Sequence, residues 1–342
     1  MPTRRGRVLS EEEIELENRR MTLRKKLEGE FKPIFRKHGN QGIMLSEFQK
    51  ELEEEGVQSS IPSDRLNELL WRADMDGDKY ITYREFINLM TGDDEMSHQE
   101  RLIEIAIFAV YAVELKDSGN PVTATTGVPV YSPLIYNPRK RHEAWRFLSY
   151  MFIHQGYLHI VANLIFQMLL GLPLEVVHKY WRVLIIYFCG VVAGSLAHSM
   201  TDTHVFLAGA SGGCYALIGG HLASVIVNWK EMNYKICDGS VVRFLLSAPV
   251  RLSILLLLAG GDTANAVYRR FTESGGTKVG ISAHIGGLLA GLLLGIPVLK
   301  NIKRLEWEKT LGWVTLAVYL AFVAFAILFN TLYKDYPPID WD

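Results

Sequence analysis

The chain of 342 residues changes character near Arg101. Before that point charged residues recur throughout and no long apolar run occurs; from Leu102 onward, apolar stretches alternate with short polar loops. Six stretches reach the length of about 20 residues that a helix needs to cross a bilayer. They are Trp145–Leu172, Val183–Met200, Val205–Trp229, Val250–Tyr268, Val279–Leu299 and Leu311–Leu332. A further stretch, Leu102–Leu115, is short and carries Glu104 and Glu114, so taken alone it reads as an interfacial helix. The pattern predicts an all-α protein, a polytopic membrane helix bundle over 96–332 behind a charge-rich N-terminal module, with a short tail at 333–342.

The charge-rich part resolves further. Residues 1–30 form a charged segment with a helix over Glu11–Glu30, and two helix–loop–helix units follow at Phe31–Gly56 and Ser63–Met90. The second holds a calcium-loop pattern from Asp74 to Glu85. Asp74, Asp76 and Asp78 supply hard oxygen ligands at positions 1, 3 and 5, the Tyr80 carbonyl takes position 7, and Glu85 binds bidentately at position 12. Ile81 stands where paired loops share a β-bridge, and Phe86 anchors the exiting helix. Lys79 occupies position 6, where a positive φ favours glycine, so weakened but retained Ca2+ binding is expected. The first loop, Lys37–Gly42, has the placement of a partner loop without its acidic ligands. Residues 31–95 therefore read as an EF-hand pair with a degenerate first loop.

Composition narrows the rest. A formal net charge of −1 speaks against a nucleic-acid partner. Cys189, Cys214 and Cys237 are too scattered for a disulfide framework and match no zinc or redox spacing. The start of the chain lacks the apolar core of a cleavable signal peptide, and neither end carries a main lipidation motif. Lysines and arginines alternate too weakly between loops to fix a topology, although Lys300–Lys309 is the best cytoplasmic loop.

Two short motifs at membrane depth resist explanation by packing alone. Gly209–Gly213 wraps Ser211 in glycines, and Ser282–Gly287 places His284 before a stripe of small residues at Gly287, Gly291 and Gly295. Small residues at this spacing let helix backbones approach closely. Such approach is what a Ser–His nucleophile–base pair on two helices requires. An ionisable side chain in hydrocarbon is a functional candidate by default. His159 and Asn163, four apart and so on one helical face, can donate to an oxyanion together with the Ser211 N–H. The histidines fit no metal motif. Asp262, beside Gly260 and Gly261, reads as a structural or cavity-facing polar group rather than a third catalytic member.

Over Leu102–Leu332 the chain resembles the rhomboid family of intramembrane serine proteases. The matching residues are Glu143-Ala144-Trp145-Arg146, then His154, His159 and Asn163, then Gly209-Ala210-Ser211-Gly212 with Tyr215, and Ala283-His284-Ile285-Gly286-Gly287. With the calcium-loop module in front, it is similar to the secretase-type animal rhomboids with N-terminal EF-hands. The resemblance implies a six-span core plus one C-terminal span, with the N-terminus cytoplasmic, in the plasma membrane or a secretory-pathway membrane. It implies Ser211 as nucleophile, His284 as base, and an oxyanion hole of His159, Asn163 and the Ser211 amide. Tyr215 would stack on His284, His154 would support nearby, and Trp145 and Arg146 would shape the loop between the first two spans. Substrates would be single-pass transmembrane proteins, including growth-factor precursors, and Ca2+ a regulator. The alternative is a catalytically inactive relative that binds membrane clients, although this chain keeps both Ser211 and His284.

Overall fold

The computed structural model describes residues 3–4, 7–8, 32–38, 42–44, 47–48, 50, 79–83, 85–86, 95–232, 247–272, 280–301 and 305–337. The chain divides into two compact units, Met1–Glu95 and Met96–Asp342.

In the first unit, β1 (Thr3–Arg4) pairs with β2 (Arg7–Val8), and β3 (Ile43–Met44) pairs antiparallel with β4 (Tyr80–Ile81). The β1–β2 pair departs from the all-α expectation, whereas β3–β4 is the short bridge expected at Ile81. Ile43 stands opposite Ile81, and both are fully buried. Beneath them Phe35, Phe48 and Phe86 pack with ring centroids 5.4–5.9 Å apart. Lys79 adopts φ 72°, the left-handed turn for which glycine is the low-cost residue. The expected helix Glu11–Glu30 and the proposed ligands Asp74, Asp76 and Asp78 lie outside the described residues.

The second unit is helical: α1 (Glu95–Asp117), α2 (Gly156–His178), α3 (Tyr180–Thr201), α4 (Ser211–Val227), α5 (Ala248–Thr272), α6 (Ile281–Val298) and α7 (Glu306–Leu332). Five of these, α2, α3, α5, α6 and α7, are long and apolar enough to cross a membrane; α4, with 17 residues, is shorter.

Two expected spans and the short stretch before them are redrawn. Trp145–Leu172 is not one span: a helical turn at Arg146–Ser149 and a 3-10 turn at Tyr150–Phe152 precede α2. The chain reverses at Gly156, whose φ is 74°. Val205–Trp229 loses its first residues to a loop, because Leu207 forms a β-bridge with Tyr136 and Gly209 takes φ 114°. Leu102–Leu115 belongs to a longer helix, α1, joined to its neighbours through polar side chains. Glu104 is fully buried and accepts from Gln167 Nε2 at 2.9 Å, while the Tyr187 hydroxyl lies 3.4 Å away.

Gln167 opens a π-helical turn, Gln167–Gly171, within α2. Such turns leave carbonyls without their usual partners. Here the Leu170 carbonyl accepts from His221 Nε2 on α4 at 2.9 Å, and Arg251 at the start of α5 donates to His221 Nδ1 at 3.0 Å. At the other end of the bundle the segment after α7 folds back: the Tyr336 hydroxyl donates to the Ser199 carbonyl at 2.7 Å, and Arg141 stacks on the Tyr336 ring at 4.2 Å.

The centre of the bundle is α4 between α3 and α6. Gly212 meets Gly287, Ala216 meets Gly291, and Ala223 meets Gly295, so α4 and α6 run parallel. A Cβ on Gly291 would collide with the Ala216 carbonyl. α5 is the least buried of the five long apolar helices, and nothing lies within 4 Å of where a Cβ on Gly260 or Gly261 would stand. Gly291→Ala should therefore force α4 and α6 apart at a cost of about 1–3 kcal/mol. Gly260→Ala should instead gain about 0.5–1 kcal/mol from helix propensity. Unfolding of the full chain in detergent micelles measures both.

Candidate active site

Ser211 is the first residue of α4 and His284 lies in the first turn of α6, so parallel packing brings both to one end of the bundle. The Ser211 hydroxyl and His284 Nε2 are 3.0 Å apart. The Tyr215 ring, one turn after the serine, stacks on the imidazole at 4.3 Å between centroids and 16° between planes. Stacking fixes the plane of the ring and thereby aims Nε2. The Ser211 N–H belongs to the first turn of a helix, where backbone donors have no intrahelical acceptor and the dipole favours negative charge.

The approach to Ser211 is held at successive points. Tyr136 and Leu207 exchange backbone hydrogen bonds at 3.1 and 3.2 Å. The Gly209 N–H donates to the Tyr150 carbonyl at 3.1 Å, and the Ala210 N–H to His154 Nε2 at 3.4 Å. The buried Tyr150 hydroxyl donates to the Val191 carbonyl at 2.9 Å. His154 thus acts on the residue preceding Ser211. Tyr150 serves the same loop, and no motif in the sequence marks it.

His159 Nδ1 accepts the Gln155 N–H at 3.3 Å, which puts the ring proton on Nε2, beside Gly209. Asn163 is buried, and its amide nitrogen donates back to the His159 carbonyl at 2.8 Å, engaging one of its two hydrogens within α2. Both residues, with Ser211, Tyr215, Asp262 and His284, line a cavity of about 760 Å3.

Trp145 and Arg146 stand away from this cavity. The exposed Trp145 indole donates to the Pro133 carbonyl at 3.1 Å. Arg146 is buried, pairs with Glu143, and donates to the carbonyls of Ser132 and Ile135 at 2.9 and 2.8 Å. Of the expected calcium ligands that are described, Glu85 accepts through Oε2 from the Thr82 N–H and hydroxyl, each at 2.9 Å, and Tyr80 lies in β4. Among the described residues no group of three histidine, cysteine or carboxylate side chains could hold a metal ion.

A family model described as the Rhomboid domain matches residues 141–301. Rhomboid-related protein 2 of Mus musculus is 44% identical over 230 residues, 67% of this chain and 72% of that protein. The chain belongs to the rhomboid family. Rhomboid-related protein 3 of Homo sapiens is 36% identical over 234 residues, 67% of this chain and 54% of that protein. Inactive rhomboid-related protein 2 of Caenorhabditis elegans is 34% identical over 226 residues, 66% of this chain and 60% of that protein. The rhomboid match includes the serine–histidine pair, the Arg146 turn and the cavity lining from Gln155 to His284, and makes this a multi-pass membrane protein of that family.

Arg146 ties the segment before α2 to its own turn through Glu143, Ser132 and Ile135. Arg146→Ala leaves two buried carbonyls without their donor and should cost about 2–3 kcal/mol. Thermal unfolding and limited proteolysis between residues 118 and 145 read the loss, with cleavage accelerated in the variant.

Proposed function

We propose that this protein is an intramembrane serine endopeptidase that cleaves single-pass transmembrane proteins in or near their membrane helix. The observation that carries the reading is the 3.0 Å contact between Ser211 and His284, with the imidazole held by the Tyr215 stack. His284 Nε2 removes the hydroxyl proton as Ser211 Oγ attacks a substrate carbonyl. The Ser211 N–H, His159 Nε2–H and the second hydrogen of the Asn163 amide hold the oxyanion. His284 then gives its proton to the leaving amine, and a water, deprotonated by the same nitrogen, hydrolyses the acyl ester. The cavity beside the pair supplies the volume in which such a water can reach the ester.

A helical segment must unwind to present its carbonyl, so substrates with small, helix-weakening residues suit this site. Release of growth-factor-type ectodomains fits that chemistry. We place the chain in the plasma membrane or a secretory-pathway membrane, with a six-span core, one further C-terminal span and a cytoplasmic N-terminus. The EF-hand reading of 31–95 draws support from the Ile43–Ile81 pairing and the left-handed Lys79. There Asp74, Asp76, Asp78, Tyr80 and Glu85 would hold Ca2+, which would supply a regulatory charge rather than catalysis.

Similarity to an inactive relative keeps a second reading open, a client-binding protein without proteolytic activity. Retention of a hydrogen-bonded Ser211–His284 pair weighs against it.

Co-expression with a single-pass test substrate separates the two readings. Wild type should cleave it, and Ser211→Ala or His284→Ala should fall to background. Asn163→Ala should retain activity reduced by about 10²-fold, as expected for one oxyanion donor. Absence of cleavage by wild type, or full activity in Ser211→Ala, would favour the client-binding reading. Cleavage measured across a calcium titration should respond in wild type and be flat in Glu85→Gln; matching curves for the two would remove calcium control.

A further inference from the structure

His284 has two ring nitrogens, and the dyad uses one. While Nε2 faces Ser211, Nδ1 must carry the ring proton, yet it has no hydrogen-bond partner although the residue is only 7% exposed. A buried N–H that turns cationic during each proton transfer is costly unless an acceptor or a negative charge stands by. One does: Asp262 Oδ2, on α5, lies 3.6 Å from Nδ1.

That carboxylate is itself positioned. The Tyr215 hydroxyl donates to the same Oδ2 at 2.8 Å, and, with its own proton so committed, accepts from Thr263 Oγ at 3.0 Å. The tyrosine that stacks on His284 therefore also steers the oxygen facing its far nitrogen. The Asp262 side chain is 40% exposed and faces the cavity. Its Oδ2 stands just beyond hydrogen-bond length of Nδ1.

We propose that Asp262 is a positioning residue for His284: it holds the proton on Nδ1, keeps Nε2 turned to Ser211, and stabilises the imidazolium formed when the serine is deprotonated. The inference rests on the serine-hydrolase reading and deepens it. The separation and exposure set a modest effect, since solvent weakens a partly exposed pair. The arrangement is a dyad with a carboxylate in reserve rather than a closed triad.

Phosphonylation of Ser211 by a fluorophosphonate tests this without knowledge of the natural substrate. In that reaction the Oγ–P bond forms, the P–F bond breaks with fluoride leaving, and the hydroxyl proton passes to His284 Nε2. With the full chain in phosphatidylcholine vesicles, Asp262→Asn should lower the limiting labelling rate about tenfold at an unchanged half-saturating concentration. Asp262→Glu, which keeps the charge, should recover to within about threefold of wild type. Thr263→Ala removes a neutral partner of the same tyrosine hydroxyl and should slow labelling less than Asp262→Asn does. Wild-type labelling in Asp262→Asn, or equal slowing in Asp262→Asn and Thr263→Ala, would overturn the proposal by reducing Asp262 to a tie between helices. Failure of wild type itself to label would instead overturn the hydrolase reading, and this one with it.

Discussion

The close approach of α4 to α6 is the constraint on which everything else rests. Where Gly287 meets Gly212 and Gly291 meets Ala216, backbone touches backbone, and no side chain separates the helix axes. In a bilayer, where lipid tails are as apolar as leucine, such van der Waals fit drives helix association. Because the two helices run parallel and begin at the same end, the fit also fixes the distance between their first turns. The Ser211–His284 hydrogen bond is thus a by-product of packing along the rest of both helices.

A second set of contacts makes that geometry usable. Ser211 follows an irregular loop, and irregular backbone at membrane depth persists only where its polar groups are satisfied by protein or water. Tyr136, Tyr150 and His154 do this for residues 207–210, while Arg146 does it for the loop behind them. Tyr150 reaches across to α3 as well: its carbonyl takes the Gly209 N–H while its hydroxyl donates to the Val191 carbonyl, so one buried residue joins the loop to the bundle core.

Much of the site was legible in the chain because its chemistry is incompatible with hydrocarbon: a glycine-flanked serine and a histidine ahead of a small-residue stripe call for an explanation that leucine would not. The helices were legible through their length. What stayed hidden depends on tertiary partners. Hydropathy placed Val205 inside a span, but its loop bridges to Tyr136, a pairing no local pattern encodes. Glu104 looked like a defect in a short span, yet it is the acceptor around which Gln167 and Tyr187 gather. Asp262 was visible as an oddity, but its distance to His284 depends on how α5 lies against α4.

Two polar joints tie α5 to α4. One is Arg251 on His221, the other Asp262 and Thr263 on Tyr215, and between them a Cβ on Gly260 or Gly261 would meet open space. Eleven residues of helix separate the joints, about 16 Å of rise. A wedge driven between the two helices at the Tyr215 joint would draw the carboxylate away from the imidazole in the same movement.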